Sequence, residues 1–586
     1  MINNIKNVLD KYPHAESSKL AILHDIQNEQ GYIKNDDIEQ VAKWLNISKA
    51  RVFSAITYYD TFTTEQDGEL IIKVCDGTVC HSQESNLILR EFERELGIKA
   101  GETTKDGKVT LRTVNCLGAC AKAPSVNIDD KVLGQVTQED VSLIISDQEA
   151  WNSSDDANIK IIETKYDKIL LNSYENIDAY IADGGFSGLK RAVLMPKSRD
   201  IISELKKSGL KGGLRGRSGS AFPVGAKWEA AYNAPGREHN KSDKYVIANG
   251  DEGDPGSFMD KWLMENNPYS ILEGLIIASC AIRAEKGFIY IRDEYPNAIK
   301  RMSNAISEAC DKGYIGQSIL NSRFNFSCEV VHAAGSYLCG EESALMESIE
   351  GKPGIPRAKP PFPTTFGLYK QPTLINNVET LANIPIIFKK GAEEYVKTGS
   401  FGNSGTKIFS LAGKVKNKGL VELPMGAITL RELIFDIGGG MEDGSKLKCI
   451  QTGGPSGGLI PPDKIDMYLD FDSMKKEGGI LGSGGIVVFD DNTSIVQLIE
   501  YILNFLADES CGTCTPCREG LRSMLHIIQK VKVGTATYED INTLEDLSFV
   551  SKTFSRCLLG RSINNPILTA LEYFPEEFMI EKGVVK

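Results

Sequence analysis

Eight of the thirteen cysteines stand in two spaced sets, one near each end of the chain, and a fold must bring each set to a point. Four residues separate Cys75 from Cys80 and three separate Cys116 from Cys120, with thirty-five between the pairs. Cys511, Cys514 and Cys517 are spaced by two residues each, and Cys557 follows after thirty-nine more. In the second set, three close thiolates can take three corners of a cubane while the fourth comes from elsewhere, which is [4Fe-4S] spacing. The first set is wider than the Cys-x2-Cys knuckles usual for zinc and suits the span of a [2Fe-2S] cluster; zinc is the alternative for both. Cys280, Cys310, Cys328, Cys339 and Cys449 are isolated.

Between the two sets lies a glycine-rich stretch, Gly212 to Trp228, with glycines at 212, 213, 216, 219 and 225. Bare backbone of this kind can close around a flat, anionic ligand. It matches neither the Rossmann nor the Walker register, and glycine clusters are often only turns. A nucleotide-type site between two metal sites suggests an oxidoreductase.

The chain has 586 residues, more than one hydrophobic core can organise, so several domains are expected. With 66 Lys+Arg against 79 Asp+Glu the net charge is −13, which disfavours a nucleic-acid partner. No apolar run approaches the ~18 residues of a membrane span, and the start lacks the features of a secretory signal, so a cytoplasmic location without membrane insertion is expected. There, cysteines serve metals more readily than disulfides.

Apolar spacing predicts a small helical bundle from Asn4 to Phe62, with Asn35 or Asp36 capping its second helix. Strands Glu69–Val74 and Val109–Val114 each run into a cysteine loop, with a helix Ser85–Leu96 between them, a thioredoxin-like pattern. Residues 151–174 read as a linker. Helices near 200–207, 268–283 and 297–312 then alternate with strands at 244–248, 287–292 and 326–331. Such alternation predicts a parallel sheet with helices on both faces and a ligand crevice at the carboxyl ends of its strands. Strands return at 407–413 and 484–489, around Gly453-Gly-Pro-Ser-Gly-Gly458. Amphipathic helices are expected at 495–508 and 521–531.

The helical bundle, Cys75-Asp-Gly-Thr-Val-Cys80 and Asn115-Cys116-Leu-Gly-Ala-Cys120 followed by Ala123-Pro124 resemble the thioredoxin-like [2Fe-2S] subunit of respiratory complex I. From about residue 175 onward, Gly-Leu-Arg-Gly-Arg, Ala221-Phe222-Pro, Gly225-Ala-Lys227-Trp, Asn249-Gly-Asp-Glu, Tyr337-Leu-Cys-Gly-Glu-Glu, Arg357-Ala-Lys359-Pro-Pro-Phe362-Pro and Asn376-Asn377-Val-Glu-Thr resemble its NADH-binding flavoprotein subunit. The resemblance implies FMN held by Gly216, Arg217, Lys227, Asn249, Asp251, Glu252, Tyr337, Gly340, Glu341, Asn376 and Asn377. It implies NADH received by Phe222, Asp254, Glu342, Lys359 and Phe362. Ser218, Ala230 and Asp254 depart from the family pattern, where glycine, a third stacking phenylalanine in some members, and glutamate are found.

The expected architecture is α/β and multidomain. A helical bundle (1–65) and a thioredoxin-like [2Fe-2S] domain (66–150) are followed by the linker (151–174). Then come a Rossmann-like FMN/NADH domain (175–400), a β-grasp domain of the SLBB type (401–490) and a helical [4Fe-4S] domain (491–586). The β-grasp assignment gives the 453–458 glycine loop a structural rather than a phosphate-binding role. The implied activity is exchange of a hydride between NADH and FMN and of single electrons with the clusters, with no catalytic side chain required. Fusion of the two modules resembles the diaphorase subunit of soluble NAD-dependent or electron-bifurcating hydrogenases and formate dehydrogenases. Partners would be other redox subunits and ferredoxin. A complex I module, or a regulatory module that binds NADH without turnover, are the alternatives.

Overall fold

The computed structural model describes residues 5–129, 131–146, 159–235 and 244–578. The helices Lys19–Gln30, Asn35–Leu45 and Lys49–Ile56 form the expected bundle. The second is capped differently from expectation. Asn35 and Asp36 already lie in its first turn, and the Asp37 carboxylate reaches back to accept the Lys34 backbone N–H at 2.9 Å.

β1 (Leu70–Cys75) runs parallel to β2 (Val109–Val114) and antiparallel to β3 (Ser125–Ile128), which pairs with β4 (Lys131–Gly134). Ile88 and Phe92 of the helix Ser85–Leu96 pack on this sheet with Ile72 and Val74. Residues 147–158, the end of the expected thioredoxin-like domain and the first part of the expected linker, lie outside the described residues. The rest of the linker is strapped to the segment Gly419–Pro424: Ile161 bridges Leu420, and the Glu422 carboxylate accepts the backbone N–H groups of Ile169, Leu170 and Leu171 at 2.8–3.1 Å.

β5 (Tyr245–Gly250), β6 (Lys286–Ile291), β7 (Ser327–His332) and β8 (Thr373–Asn377) form an all-parallel sheet in the order β7-β6-β5-β8. Such a sheet needs cover on both faces. On one face Val246, Ala248, Ile289 and Leu374 join the main core with the helices Pro268–Ile282 and Val378–Lys390. On the other, Ile247, Phe288, Tyr290 and Ile375 pack with Leu345 and Met346 and, beyond the alternation seen in sequence, with Ile22, Leu23 and Val52 of the N-terminal bundle.

β9 (Thr406–Gly413), β10 (Gly419–Pro424), β11 (Leu447–Thr452), β12 (Leu459–Ile460) and β13 (Gly485–Asp490) make a mixed sheet in the order β10-β9-β13-β11-β12. The C-terminal helices are Ile495–Asp508, Thr515–Lys532, Tyr538–Phe554 and Asn564–Tyr573. The second begins six residues before the expected start because Pro516 sits in its first turn, where no backbone donor is needed; Cys517 is therefore helical.

Candidate functional site

Register brings the sequence motifs together. β5 and β8 are neighbours, with Asn249 opposite Asn377 and Ala248 opposite Asn376. Two motifs more than a hundred residues apart in sequence thus end side by side at the carboxyl edge of the sheet. Asn249 donates to the Gly340 carbonyl at 2.9 Å, joining this edge to the Tyr337–Gly340 turn. Asn376 accepts from the buried Trp228 indole at 2.9 Å, and Asn377 caps the helix Val378–Lys390 while donating to Asp260 at 2.5 Å.

The glycine stretch closes on itself through Gly216 N–H to Phe222 O (3.0 Å) and Gly225 N–H to Gly212 O (2.9 Å), then opens the helix Val224–Asn233. Gly213 has φ +93°, and a Cβ there would lie 2.1 Å from the Leu205 carbonyl oxygen, so no other residue fits. Lys227 lies one turn into that helix, 3.1 Å from Glu342. Lys359 donates to both Glu341 (2.6 Å) and Glu342 (2.7 Å). Burial alone would raise the Glu342 carboxyl, but Lys227 and Lys359 outweigh it and hold it at about 2. Glu341 also caps the helix Glu342–Ile349 through the Ser343 and Ala344 N–H groups. Phe222 and Phe362 are 54% and 56% exposed, so neither is a core aromatic.

Other expected site residues act as braces. Arg217 is fully buried; it donates to the Arg215 and Ser404 carbonyls, its Nε has no partner, and it ties the glycine stretch to Ser404, two residues before β9. Glu252 accepts the Asp260 and Lys261 N–H groups, both at 3.0 Å, at the start of the helix Met259–Asn266. Asp254 accepts from Tyr337 Oη at 2.8 Å and Ser483 Oγ at 3.1 Å, so it is engaged by its own chain. Gly454 of the second glycine loop packs on Asp254. Asp251 is different. Its side chain is 2% exposed, Oδ1 is 3.8 Å from Arg292 Nε, and Oδ2 has no partner. Burial pushes its carboxyl up to about 8.

Both cysteine sets assemble. Cys75, Cys80, Cys116 and Cys120 are all buried, with the Cys116 and Cys120 sulfurs 3.6 Å apart and Cys75 hydrogen-bonded to Cys116 and Cys80. Hydrogen bonds from Cys120 and Cys75 hold the Cys116 thiol well below its ordinary range. Among the described residues no group of three or more His, Cys, Asp or Glu is arranged for one metal ion. A dry pocket of four thiols nonetheless has the donor chemistry of an iron–sulfur cluster. Cys517 lies within electrostatic reach of Cys511 and Cys514, and Cys557 within reach of Cys511 and Cys517; Gly560 lets the Cys557 turn pack against Cys517.

Several residues that bind this region together were not expected. Lys261, held by Glu252, donates to Leu117 O at 3.2 Å, and Gly118 packs on Tyr295 and Lys261. Tyr501 donates to Asp76 O at 2.7 Å. Glu509 accepts from Asn115 and from Tyr337 N–H. The one signal in the sequence was proximity: Asn115 precedes Cys116 and Glu509 lies two residues before Cys511.

Residues 5–149 match the thioredoxin-like [2Fe-2S] ferredoxin family, 210–386 the Nuo51 FMN-binding domain, and 497–581 the NADH-ubiquinone oxidoreductase-F iron-sulfur binding region. Over 405 residues, 69% of this chain, the sequence is 44% identical to the NADP-reducing hydrogenase subunit HndC of Solidesulfovibrio fructosivorans, of which 80% is covered. Over 405 residues it is 42% identical to the second F-type subunit of the NADH-quinone oxidoreductase of Rhizobium meliloti, covering 93% of that protein. In structure it resembles a chain of the NAD+-reducing [NiFe]-hydrogenase in the H2-reduced state, with a TM-score of 0.82 at 25% identity over 96% of this chain and 92% of that one. The chain belongs to the family of F-type subunits of NADH-quinone oxidoreductase and their hydrogenase counterparts, FMN-binding flavoproteins with a C-terminal iron–sulfur region, here joined to a thioredoxin-like [2Fe-2S] ferredoxin module.

Proposed function

We propose that this chain is the NADH-oxidising diaphorase subunit of a multi-subunit redox complex. One observation carries the reading: the Asn249–Asp254 segment is linked to the Cys116–Cys120 loop by Lys261, whose backbone N–H is held by Glu252 and whose ammonium donates to Leu117 O. A flavin segment and a cluster loop separated by one helix turn suit short-range electron exchange.

Lys227 and the N-terminal turn of its helix would receive the FMN phosphate, since backbone N–H groups and a lysine meet there. Asn249, Asp251, Tyr337, Gly340, Asn376 and Asn377 would line the flavin. Gly216 gives it room, and Arg217, Glu252 and Glu341 hold the lining loops. Phe222 and Phe362 would stack the adenine of NADH, with Glu342 and Lys359 at its ribose; Asp254 would contribute by fixing Tyr337. Cys75, Cys80, Cys116 and Cys120 would ligate [2Fe-2S], and Cys511, Cys514, Cys517 and Cys557 [4Fe-4S]. Bound FMN supplies the conversion of a two-electron hydride into single electrons, which iron–sulfur centres carry one at a time.

No helix among the described residues is long and apolar enough to cross a membrane. We place the complex in the cytoplasm, with a hydrogenase or formate dehydrogenase subunit as partner and ferredoxin as a further acceptor. Acid extraction and NADH-driven reduction of an artificial acceptor by the purified chain test the reading. FMN and turnover are expected; FAD, or flavin without turnover, would overturn it.

A further inference from the structure

Glu509 ends the helix Ile495–Asp508, where a glutamate side chain ordinarily projects into water. Here each of its two oxygens is taken by a different distant segment. Oε1 accepts from Asn115 Nδ2, beside Cys116, and Oε2 accepts from the Tyr337 backbone N–H at 2.9 Å, beside the flavin segment. The same residue lies two positions before Cys511. Its helix grips both neighbours again. Tyr501 donates to Asp76 O, next to Cys75, and Phe505 packs edge-on against Tyr337 with ring centres 5.1 Å apart. Tyr337 in turn donates to Asp254. A single carboxylate thus joins the loops of the first cluster, the flavin and the second cluster, and removing it leaves two part-buried donors without partners.

We infer that Glu509 is a positioning residue that holds the Cys116 loop and the Tyr337 turn at fixed distances from the Cys511 loop, and so sets how electrons divide between the two clusters. This rests on the functional reading above. NADH gives up a hydride, two electrons and a proton, to become NAD+; the electrons leave singly, one to each one-electron acceptor, and the proton passes to water. Small displacements of either loop alter the two routes unequally.

The test uses the full chain loaded with flavin and clusters, as wild type, Glu509→Ala, Glu509→Gln and Asn115→Ala. If the wild type shows no cluster signals by electron paramagnetic resonance on addition of NADH, the functional reading itself fails. With both signals present, Glu509→Ala should change the ratio of reduced [2Fe-2S] to reduced [4Fe-4S] trapped by freezing within the first turnover after one equivalent of NADH by about threefold or more, the scale of one hydrogen bond. Amide exchange at Tyr337 should quicken by up to about tenfold. Glu509→Gln should keep both properties near wild type, because its oxygen can take the Tyr337 N–H while its NH2 donates to a turned Asn115 amide. Asn115→Ala should shift the ratio and leave exchange at Tyr337 unchanged. An unchanged ratio in Glu509→Ala, or a Glu509→Gln as disturbed as the alanine variant, overturns the inference. Should Glu509→Ala fail to load its clusters, an unchanged ratio in Asn115→Ala overturns it and a shifted one supports it.

Discussion

Lys407 in β9 and Glu379, two residues after Asn377, form an ion pair sealed from water, the lysine side chain 0% and the acid 1% exposed. Glu379 also accepts the Ile408 N–H at 2.9 Å, and Lys407 donates to Ile408 O at 2.9 Å. The pair pins the mixed sheet of β9–β13 to the helix that Asn377 caps. Removing one partner from such a pair costs about 3–5 kcal/mol. Lys407→Met should therefore lower the thermal midpoint and release flavin, and Lys407→Met with Glu379→Gln should recover part of both, read by calorimetry and by flavin absorbance.

Phe222 and Phe362 present bare rings, so their replacement touches binding rather than folding. Each stacked aromatic is worth about 0.5–1.5 kcal/mol beyond burial, or roughly two- to tenfold. Phe222→Ala and Phe362→Ala should each raise KM for NADH by that factor with the melting temperature unchanged. A KM that stays put in both variants removes them from the dinucleotide site.

Glu342 keeps its charge to about pH 2, and a 2′-phosphate beside it would meet that charge. With Asp254 engaged by Tyr337 and Ser483, discrimination against NADPH falls mainly on Glu342. Wild type should prefer NADH, and Glu342→Gln should raise kcat/KM for NADPH about tenfold or more with a smaller change for NADH. Equal use of the two dinucleotides by wild type would contradict this.

Asp251 holds its proton in the folded chain up to about pH 8, whereas unfolded it loses the proton above the ordinary value of 3.8. Between those values the unfolded state binds fewer protons, so this group makes stability fall as pH rises from about 4 to about 8. Asp251→Asn should flatten that slope and, in the flavin-free chain, stabilise by about 1–3 kcal/mol at pH 8. Denaturant titrations of both proteins at pH 5 and pH 8 measure it.

The two cysteine sets should have separable jobs. Cys557→Ala should leave flavin bleaching by NADH intact and slow delivery to the partner, because one corner of the cubane is lost while the Gly212 to Trp228 stretch is untouched. Cys120→Ala should alter only the [2Fe-2S] signal and affect partner flux less. Loss of bleaching in a folded, flavin-loaded Cys557→Ala would show that electrons leave by another route.

The parts legible in sequence were those where one short segment carries the signal. Helix Ser85–Leu96 and strand Val109–Val114 follow from local periodicity, and the cysteine sets from spacing. What escaped was decided between segments. Arg217 reads as a flavin ligand in a glycine loop, yet its partner is the Ser404 carbonyl, in a stretch with no motif. Asp254 reads as a dinucleotide ligand until Ser483 arrives from the turn before β13. Residues 159–171 look like tether because the polar run before them lacks periodicity, but Glu422 supplies a carboxylate for three of their N–H groups.

The bundle of residues 5–62 does for the parallel sheet what a second layer of crossover helices does elsewhere: it keeps Ile247, Phe288, Tyr290 and Ile375 dry. The N-terminal module is thus a lid as well as an electron carrier. Trimming the gene to its flavin portion would uncover an adhesive apolar wall, and such a fragment would need a separately supplied bundle to stay dispersed. Covalent fusion guarantees that the cover arrives with every copy, at a fixed one-to-one ratio and at a local concentration no separate chain could match.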